Sequence, residues 1–491
     1  MQVPKHTVIL GGGPAGLACG HELSANGAEI SVLERNPYVG GLCRTVEYKG
    51  FRFDLGGHRW FSKNEDLNNW FRRLMGDEIV RVNRVSRIYY GGKYFFYPVR
   101  FSEILRKTGP VSMLNAGAAF LWAASRKYVN GKSPANMKEA YVEQFGGKLY
   151  DMFFRRYSEK IWGRPCEELS ADWVSQRSKG LSVWSLICDV MKMRKSQAPT
   201  LVENFMYPRN GYMRIPIRMA EDIREFGNEV TLGASVTRLV CHGPNDIEVC
   251  YTLDGKDLSI RADAVVSTIP VNLLTRMISP ACDEAVLEAA RGLQFRNLIT
   301  VNLTLARRQV SRDTWLYIQD ENILFGRMHE PKNWSRAMVP DDEHTSLVLE
   351  CFCSPGDGIW NMTDDEIRDR CIRDLADKLG FIEKREVEGS VVVRTAQAYP
   401  IYDLQYSEKL ATINAFLGKF EGLHMIGRGG TFRYNNADHS IEMGLLLGQK
   451  LLGHDVDYRE INADQEYHEI KHEKEARGNG YSGPLTHAGQ R

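Results

Sequence analysis

Residues 7 to 34 constrain this 491-residue chain more than any other stretch. Thr7-Val8-Ile9-Leu10 is a short apolar run, and Gly11-Gly12-Gly13-Pro14-Ala15-Gly16 follows it directly. Leu17 to Asn26 then reads as a helix, and Glu29-Ile30-Ser31-Val32-Leu33-Glu34 as a second strand ending in an acid. Strand, glycine turn, helix, strand and acid in that order make a βαβ dinucleotide-binding fingerprint. Gly11 permits the tight turn, Gly13 lets backbone approach a pyrophosphate, and Gly16 lets helix pack on strand. The helix N-terminus offers unpaired N–H groups and the positive end of its dipole to the phosphates. Glu34 is placed to accept hydrogen bonds from a ribose.

The following segments favour FAD over a nicotinamide dinucleotide. Gly40-Gly41-Leu42-Cys43-Arg44 puts a glycine pair and an arginine just past the acid, and Phe53-Asp54-Leu55-Gly56-Gly57-His58 supplies a second pair ending in an imidazole. A large rigid cofactor needs several close backbone approaches, which glycines permit. Asn228 to Val240 reads as two short strands, with Val236 on the second, and Ala262 to Pro270 as another strand and turn. Leu423 to Gly430 is a strand running into glycines, followed by a polar loop and the apolar run Ile441 to Leu452. The expected fold is α/β: a Rossmann-like FAD-binding domain assembled from discontinuous segments (1–75, 200–290 and 391–455) with a mixed α+β substrate domain. The latter divides into a helical substrate or cap region at 76–199 and a strand-rich substrate-binding region at 291–390. Residues 456–491 are charged, poor in apolar side chains and read as a flexible tail.

Lys+Arg 63 against Asp+Glu 62 gives a net charge of +1, which argues against a nucleic-acid binder working by bulk charge. Any anionic ligand is then held by a few placed cations. Ten cysteines are sparse in so long a chain and none forms a Cys-x-x-Cys pair, which suits a reducing, cytoplasmic setting. Cys351 and Cys353 would share one face of a strand as buried thiols. The chain starts without signal-peptide architecture. Its most apolar stretch, Val111 to Ser125, is too short to span a bilayer and reads as an internal helix. His468 and His472 stand four apart with no third metal ligand in sight, so a solvated helix is expected and no metal.

With these residues in place, the chain resembles the FAD-dependent amine-oxidase-like superfamily and, within it, UDP-galactopyranose mutases and their relatives. The segments that carry the resemblance are Phe53 to His58, Tyr97-Pro98, Arg155 to Gly163, Trp173 to Arg177, Trp315-Leu316-Tyr317, Phe325-Gly326-Arg327, Tyr399-Pro400, and Gly427 to His439. The resemblance implies that His58 faces the flavin and that Arg177 and Arg327 grip the diphosphate of a nucleotide sugar, a UDP-hexose being favoured. Planar guanidinium groups suit that task because they bind phosphate bidentately. It places Tyr317 and Tyr434, with Tyr97 and Tyr399, in the same substrate pocket. Candidate FAD contacts are Gly11, Gly13, Pro14, Ala15, Gly16, Glu34, Arg35, Gly41, Leu42, Arg44, Gly57, His58, Val236, Gly427, Arg428, Asp438, His439 and Ser440.

The chemistry so implied is attack by reduced flavin N5 on the anomeric carbon and pyranose–furanose interconversion without net redox change. NADPH, NADH or a partner would supply the reducing equivalents, and a homo-oligomer is compatible with the sequence. Arg59-Trp60 and the loop from Tyr434 to His439 depart from typical mutases, and the tryptophan-centred uridine platform of bacterial mutases has no clear counterpart. Base and sugar therefore stay open. Two other readings stand beside the mutase: an FAD oxidoreductase of amine-oxidase or protoporphyrinogen-oxidase type, and a non-enzymatic escort protein of the same fold.

Overall fold

The computed structural model describes residues 3–97, 103, 106, 107, 133–174, 204–459 and 461. The fingerprint folds as strand His6–Leu10, helix Pro14–Ala25 and strand Glu29–Glu34. The helix begins earlier than its apolar side chains suggest, because Pro14 fits the first helical position, where its preset φ helps and its missing N–H costs nothing. These strands sit in a five-stranded parallel sheet ordered Leu423–Met425, Ala264–Ser267, His6–Leu10, Glu29–Glu34, Glu229–Leu232. Val8, Ile9, Val32, Val265 and Val266 are fully buried, so the strands read as continuous apolar runs. One sheet is thus drawn from three distant parts of the chain, the discontinuous Rossmann-like arrangement the fingerprint implied.

A seven-stranded sheet forms the other half, ordered Val387–Pro400, Phe295–Leu305, Thr345–Cys353, Arg327–His329, Trp315–Ile318, Ser86–Tyr90, Lys93–Phe96. Its pairs are antiparallel except where Trp315–Ile318 meets Ser86–Tyr90. Phe295–Leu305 and Thr345–Cys353 are buried at every position because both faces are covered. Leu298 and Phe352 pack toward helices Met137–Phe145, Gly147–Phe153 and Arg155–Trp162. Ile299, Leu349, Cys351 and Cys353 pack on the opposite face, toward helix Asp364–Arg373, where the Cys351 sulfur stands 3.8 Å from that of Cys371.

Two local expectations are revised. Residues 76–199, read as helical, open with strands Ile79–Asn83, Ser86–Tyr90 and Lys93–Phe96 before the helices of 137–162. Ile88 and Phe95 are buried while their neighbours stay partly open, the alternation of a half-covered strand. At the start of the charged tail, Tyr458 and Ile461 are buried in the core of the parallel-sheet half. The apolar stretch Val111 to Ser125, the residues Ser175 to Arg177, and His468 with His472 lie outside the described residues. Among those described, no helix is long and apolar enough to cross a membrane.

Candidate active site

A cavity of about 1010 Å³ runs from the glycine turn of the parallel sheet to the seven-stranded sheet. Gly11, Gly13, Pro14, Ala15, Glu34, Arg35, Gly41, Leu42, Arg44, Gly57, His58, Val236, Gly427, Arg428 and Ser440 all line it. The substrate candidates Tyr97, Tyr317, Arg327, Tyr399 and Tyr434 line it as well. Gly16, Asp438 and His439 are not on its wall. A β-carbon on Gly16 would overlap the Gly11 carbonyl oxygen, so its absence lets helix and turn meet. Asp438 is buried in the first turn of helix Ala437–Leu451, where loss of water pushes its carboxyl up, and His439 closes that helix's capping box with Asn436. Arg177 lies outside the described residues.

The glycine end fits the pyrophosphate and ribose of FAD. Gly13 caps helix Pro14–Ala25 with no side-chain hydrogen bond among the described residues, leaving the first-turn N–H groups for an anion. Nothing lies within 4 Å of where a Gly13 side chain would begin. Glu34 accepts from the N–H of Gly12 at 2.7 Å and of Asn36 at 2.8 Å, which fixes its carboxylate at the cavity wall. Arg44 donates to the Tyr38 hydroxyl at 2.8 Å with its guanidinium 4.1 Å over that ring.

Asp54 organises the turn that carries His58. It accepts from Thr45 Oγ1 at 2.6 Å, the Tyr207 hydroxyl at 2.6 Å and the Tyr212 N–H at 3.1 Å, while burial lifts its carboxyl to about 6. The Tyr212 ring lies 5.3 Å from that of His58. His58 Nδ1 is 3.2 Å from the Gly56 carbonyl oxygen, which can only accept, so Nδ1 carries the proton and Nε2 the lone pair. Loss of water, then the Arg428 charge, pushes the imidazole down to about 4, so it is neutral at pH 7.

At the far end, Arg327 donates through Nε to the Tyr157 hydroxyl at 2.8 Å and through a terminal nitrogen to Glu350 at 3.3 Å. Its guanidinium stands 4.8 Å over the Phe352 ring and 5.8 Å over that of Trp315. Burial opposes its charge, but the Glu350 carboxylate beside it favours that charge and the guanidinium stays protonated. Burial drives the Glu350 carboxyl up, and Arg327 and the Gly57 N–H at 3.3 Å offset only part of that rise. Tyr317 is 5.2 Å from Tyr97 and 5.5 Å from Tyr157, and Tyr399 stacks on Tyr434 at 5.5 Å, ring to ring. Arg428 spans Tyr399 and Tyr434 at 5.1 and 5.0 Å while donating to the carbonyls of Ala398 and Asn435, so it braces this wall. Eight arginines line the cavity against one carboxylate, Glu34, among the described residues, a field suited to anions.

Glu350, Tyr157 and Trp315 are site residues the sequence reading did not single out by role. Glu350 had a signal: it is the lone acid in the apolar run Ser346 to Cys353, and a buried carboxylate needs a cation. Trp315 packs where a Gly57 side chain would stand, joining the His58 turn to the Arg327 strand pair.

Backbone at one end of this cavity and arginines and tyrosines at the other suit a dinucleotide cofactor beside an anionic ligand. A model of the flavin containing amine oxidoreductase family matches residues 14–412, and the chain belongs to that family. Among solved structures, reduced UDP-galactopyranose mutase matches with a TM-score of 0.79 at 22% identity, covering 94% of this chain and 98% of that one. Protoporphyrinogen oxidase 1, chloroplastic, of Spinacia oleracea is 20% identical over 404 residues, 75% of this chain and 70% of the relative. A probable UDP-galactopyranose mutase of Klebsiella pneumoniae is 23% identical over 172 residues, 34% of this chain and 43% of the relative. Several curated relatives are matched over less than half of their own length. The family implies FAD as the flavin.

Proposed function

We propose that this flavoenzyme acts on a nucleotide-diphosphate sugar, a UDP-hexose foremost, and interconverts its pyranose and furanose forms. Gly11, Gly13, Pro14 and Ala15 would hold the FAD pyrophosphate, and Glu34 and Arg35 its ribose. Gly41, Leu42, Arg44, Gly57, His58, Val236, Gly427, Arg428 and Ser440 would line the rest, with Gly16, Asp438 and His439 supporting from behind. When bound and reduced, the flavin supplies covalent catalysis at the anomeric carbon with no net redox change, NADPH or NADH being the candidate reductants.

The observation that carries this reading is the largely buried, permanently charged Arg327 at the end of the cavity away from the glycine turn, set among tyrosine hydroxyls. Arg327, fixed by Glu350 and Tyr157, would stabilise charge growing on the departing diphosphate without having to reorganise. Tyr97, Tyr317, Tyr399 and Tyr434 would donate to phosphate oxygens; burial keeps the Tyr399 hydroxyl protonated and so able to donate. Neutral His58 would orient through its Nε2 lone pair. Arg177 is proposed as the second cation on the diphosphate.

A second reading, FAD-dependent dehydrogenation as in amine or protoporphyrinogen oxidases, is favoured by one feature. Tyr141, Phe145, Leu149, Phe153 and Phe154 make part of the cavity wall apolar and aromatic, which suits a hydrophobic substrate. Titrating the dithionite-reduced flavoprotein with UDP and UDP-galactose separates the two. Saturable binding that Arg327→Ala weakens by about 1.5–3 kcal/mol while flavin is retained supports the mutase reading; no binding by the wild type contradicts it.

A further inference from the structure

Gln397 lies on the strand Val387–Pro400, in the cavity wall, with a backbone φ of +54°. Residues bearing a β-carbon avoid this left-handed region, where glycine is the default. The strain sits in a bulge. Arg296 pairs with Tyr399 and Leu298 with Thr395, so Ala396, Gln397 and Ala398 face the single residue Asn297. The bulge is braced from two sides. Buried Asn297 accepts the Gln397 N–H at 2.9 Å, and Arg428 donates to the Ala398 carbonyl at 2.9 Å.

The backbone here would be served at least as well by glycine. The Gln397 side-chain amide has no hydrogen-bond partner among the described residues. It stands two residues before Tyr399, whose neighbourhood includes Arg327 and Tyr434, and three after Arg394, all on the same cavity wall. Strained residues held by over-determined surroundings cluster where a side chain must be aimed at a ligand.

We infer that Gln397 is a specificity-determining residue whose amide, offering both a donor and an acceptor, reads the hydroxyls of the substrate's sugar. This rests on the nucleotide-sugar reading. An amide suits such a task because each sugar hydroxyl both donates and accepts, whereas the neighbouring arginines can only donate.

The test uses reduced, flavin-loaded wild type, Gln397→Gly and Gln397→Ala, measuring affinity for UDP and for UDP-galactose together with the melting temperature. Gln397→Gly is expected to melt no lower than wild type, to hold UDP within about twofold, and to lose roughly fivefold to tenfold in UDP-galactose affinity, the worth of one neutral hydrogen bond. Gln397→Ala should show the same selective loss with a lower melting temperature than Gln397→Gly. Equal effects on both ligands, or no effect on either, overturn the assignment and leave the nucleotide-sugar reading intact. Failure of the wild type to bind either ligand breaks that reading first and takes the assignment with it.

Discussion

The two ends of the cavity recognise by different means. At the parallel-sheet end the contacts are backbone: a glycine turn, a helix N-terminus without a side-chain cap, and one carboxylate held by N–H groups of Gly12 and Asn36. At the seven-stranded end they are side chains, brought together from strands far apart in sequence: Arg327, Glu350, Tyr317, Tyr399 and the helical Tyr157. A backbone site needs the local chain to have the right shape and tolerates no added atoms. A side-chain site needs partners that compensate one another and degrades step by step as they are removed.

That contrast orders the expected effects. Gly16→Val puts a branched side chain against the Gly11 carbonyl oxygen and the Ile9 and Thr268 side chains, and should abolish flavin retention, read as loss of visible absorbance in the purified protein. Retained flavin would break the claim that this end is built by close backbone approach. Glu350→Ala leaves Arg327 buried without its carboxylate and the Gly57 N–H without an acceptor. It should cost about 3 kcal/mol of stability in urea unfolding, the lower range for breaking a buried pair, since Arg327 borders the cavity. Arg327→Ala should keep flavin yet lose about 1.5–3 kcal/mol of nucleotide-sugar affinity, read by titration of the reduced protein. Tyr317→Phe and Tyr434→Phe each remove one neutral donor and should cost about 0.5–1.5 kcal/mol in the same titration.

The remaining effect concerns pH. His58 is pushed to about 4 in the folded chain against an ordinary value of 6.5. Between those values the unfolded chain binds the extra proton and the folded one does not, so the contribution of His58 to stability is full above pH 6.5 and falls as pH drops toward 4. Thermal melts of wild type and His58→Asn should therefore converge on acidification through that window. Parallel curves would contradict a neutral His58.

The same contrast explains what could be read in advance. Gly11 to Gly16, the flanking strands and Glu34 are contiguous, so their geometry follows from local sequence alone. The strand Leu423–Met425 joins the same sheet from far along the chain, and its run into glycines made it legible too. Glu350 was not, because its role depends on antiparallel pairing with Arg327 across two strands, a register that local sequence does not encode. The strands at 79–96 were read as helix because their alternation spans only a few residues each, and their burial depends on a sheet completed by residues 315–318. Asp438 and His439 follow the glycine run at Gly427–Gly430 yet stand behind the wall, a distinction only packing reveals.

The most direct test of the account is turnover by the anaerobically reduced protein with UDP-galactopyranose, following sugar products by chromatography and flavin oxidation state by absorbance together. The account predicts UDP-galactofuranose forming over many turnovers while the flavin remains reduced. Flavin that cycles between oxidation states on amine or apolar donors, with no ring contraction of the nucleotide sugar, would contradict it.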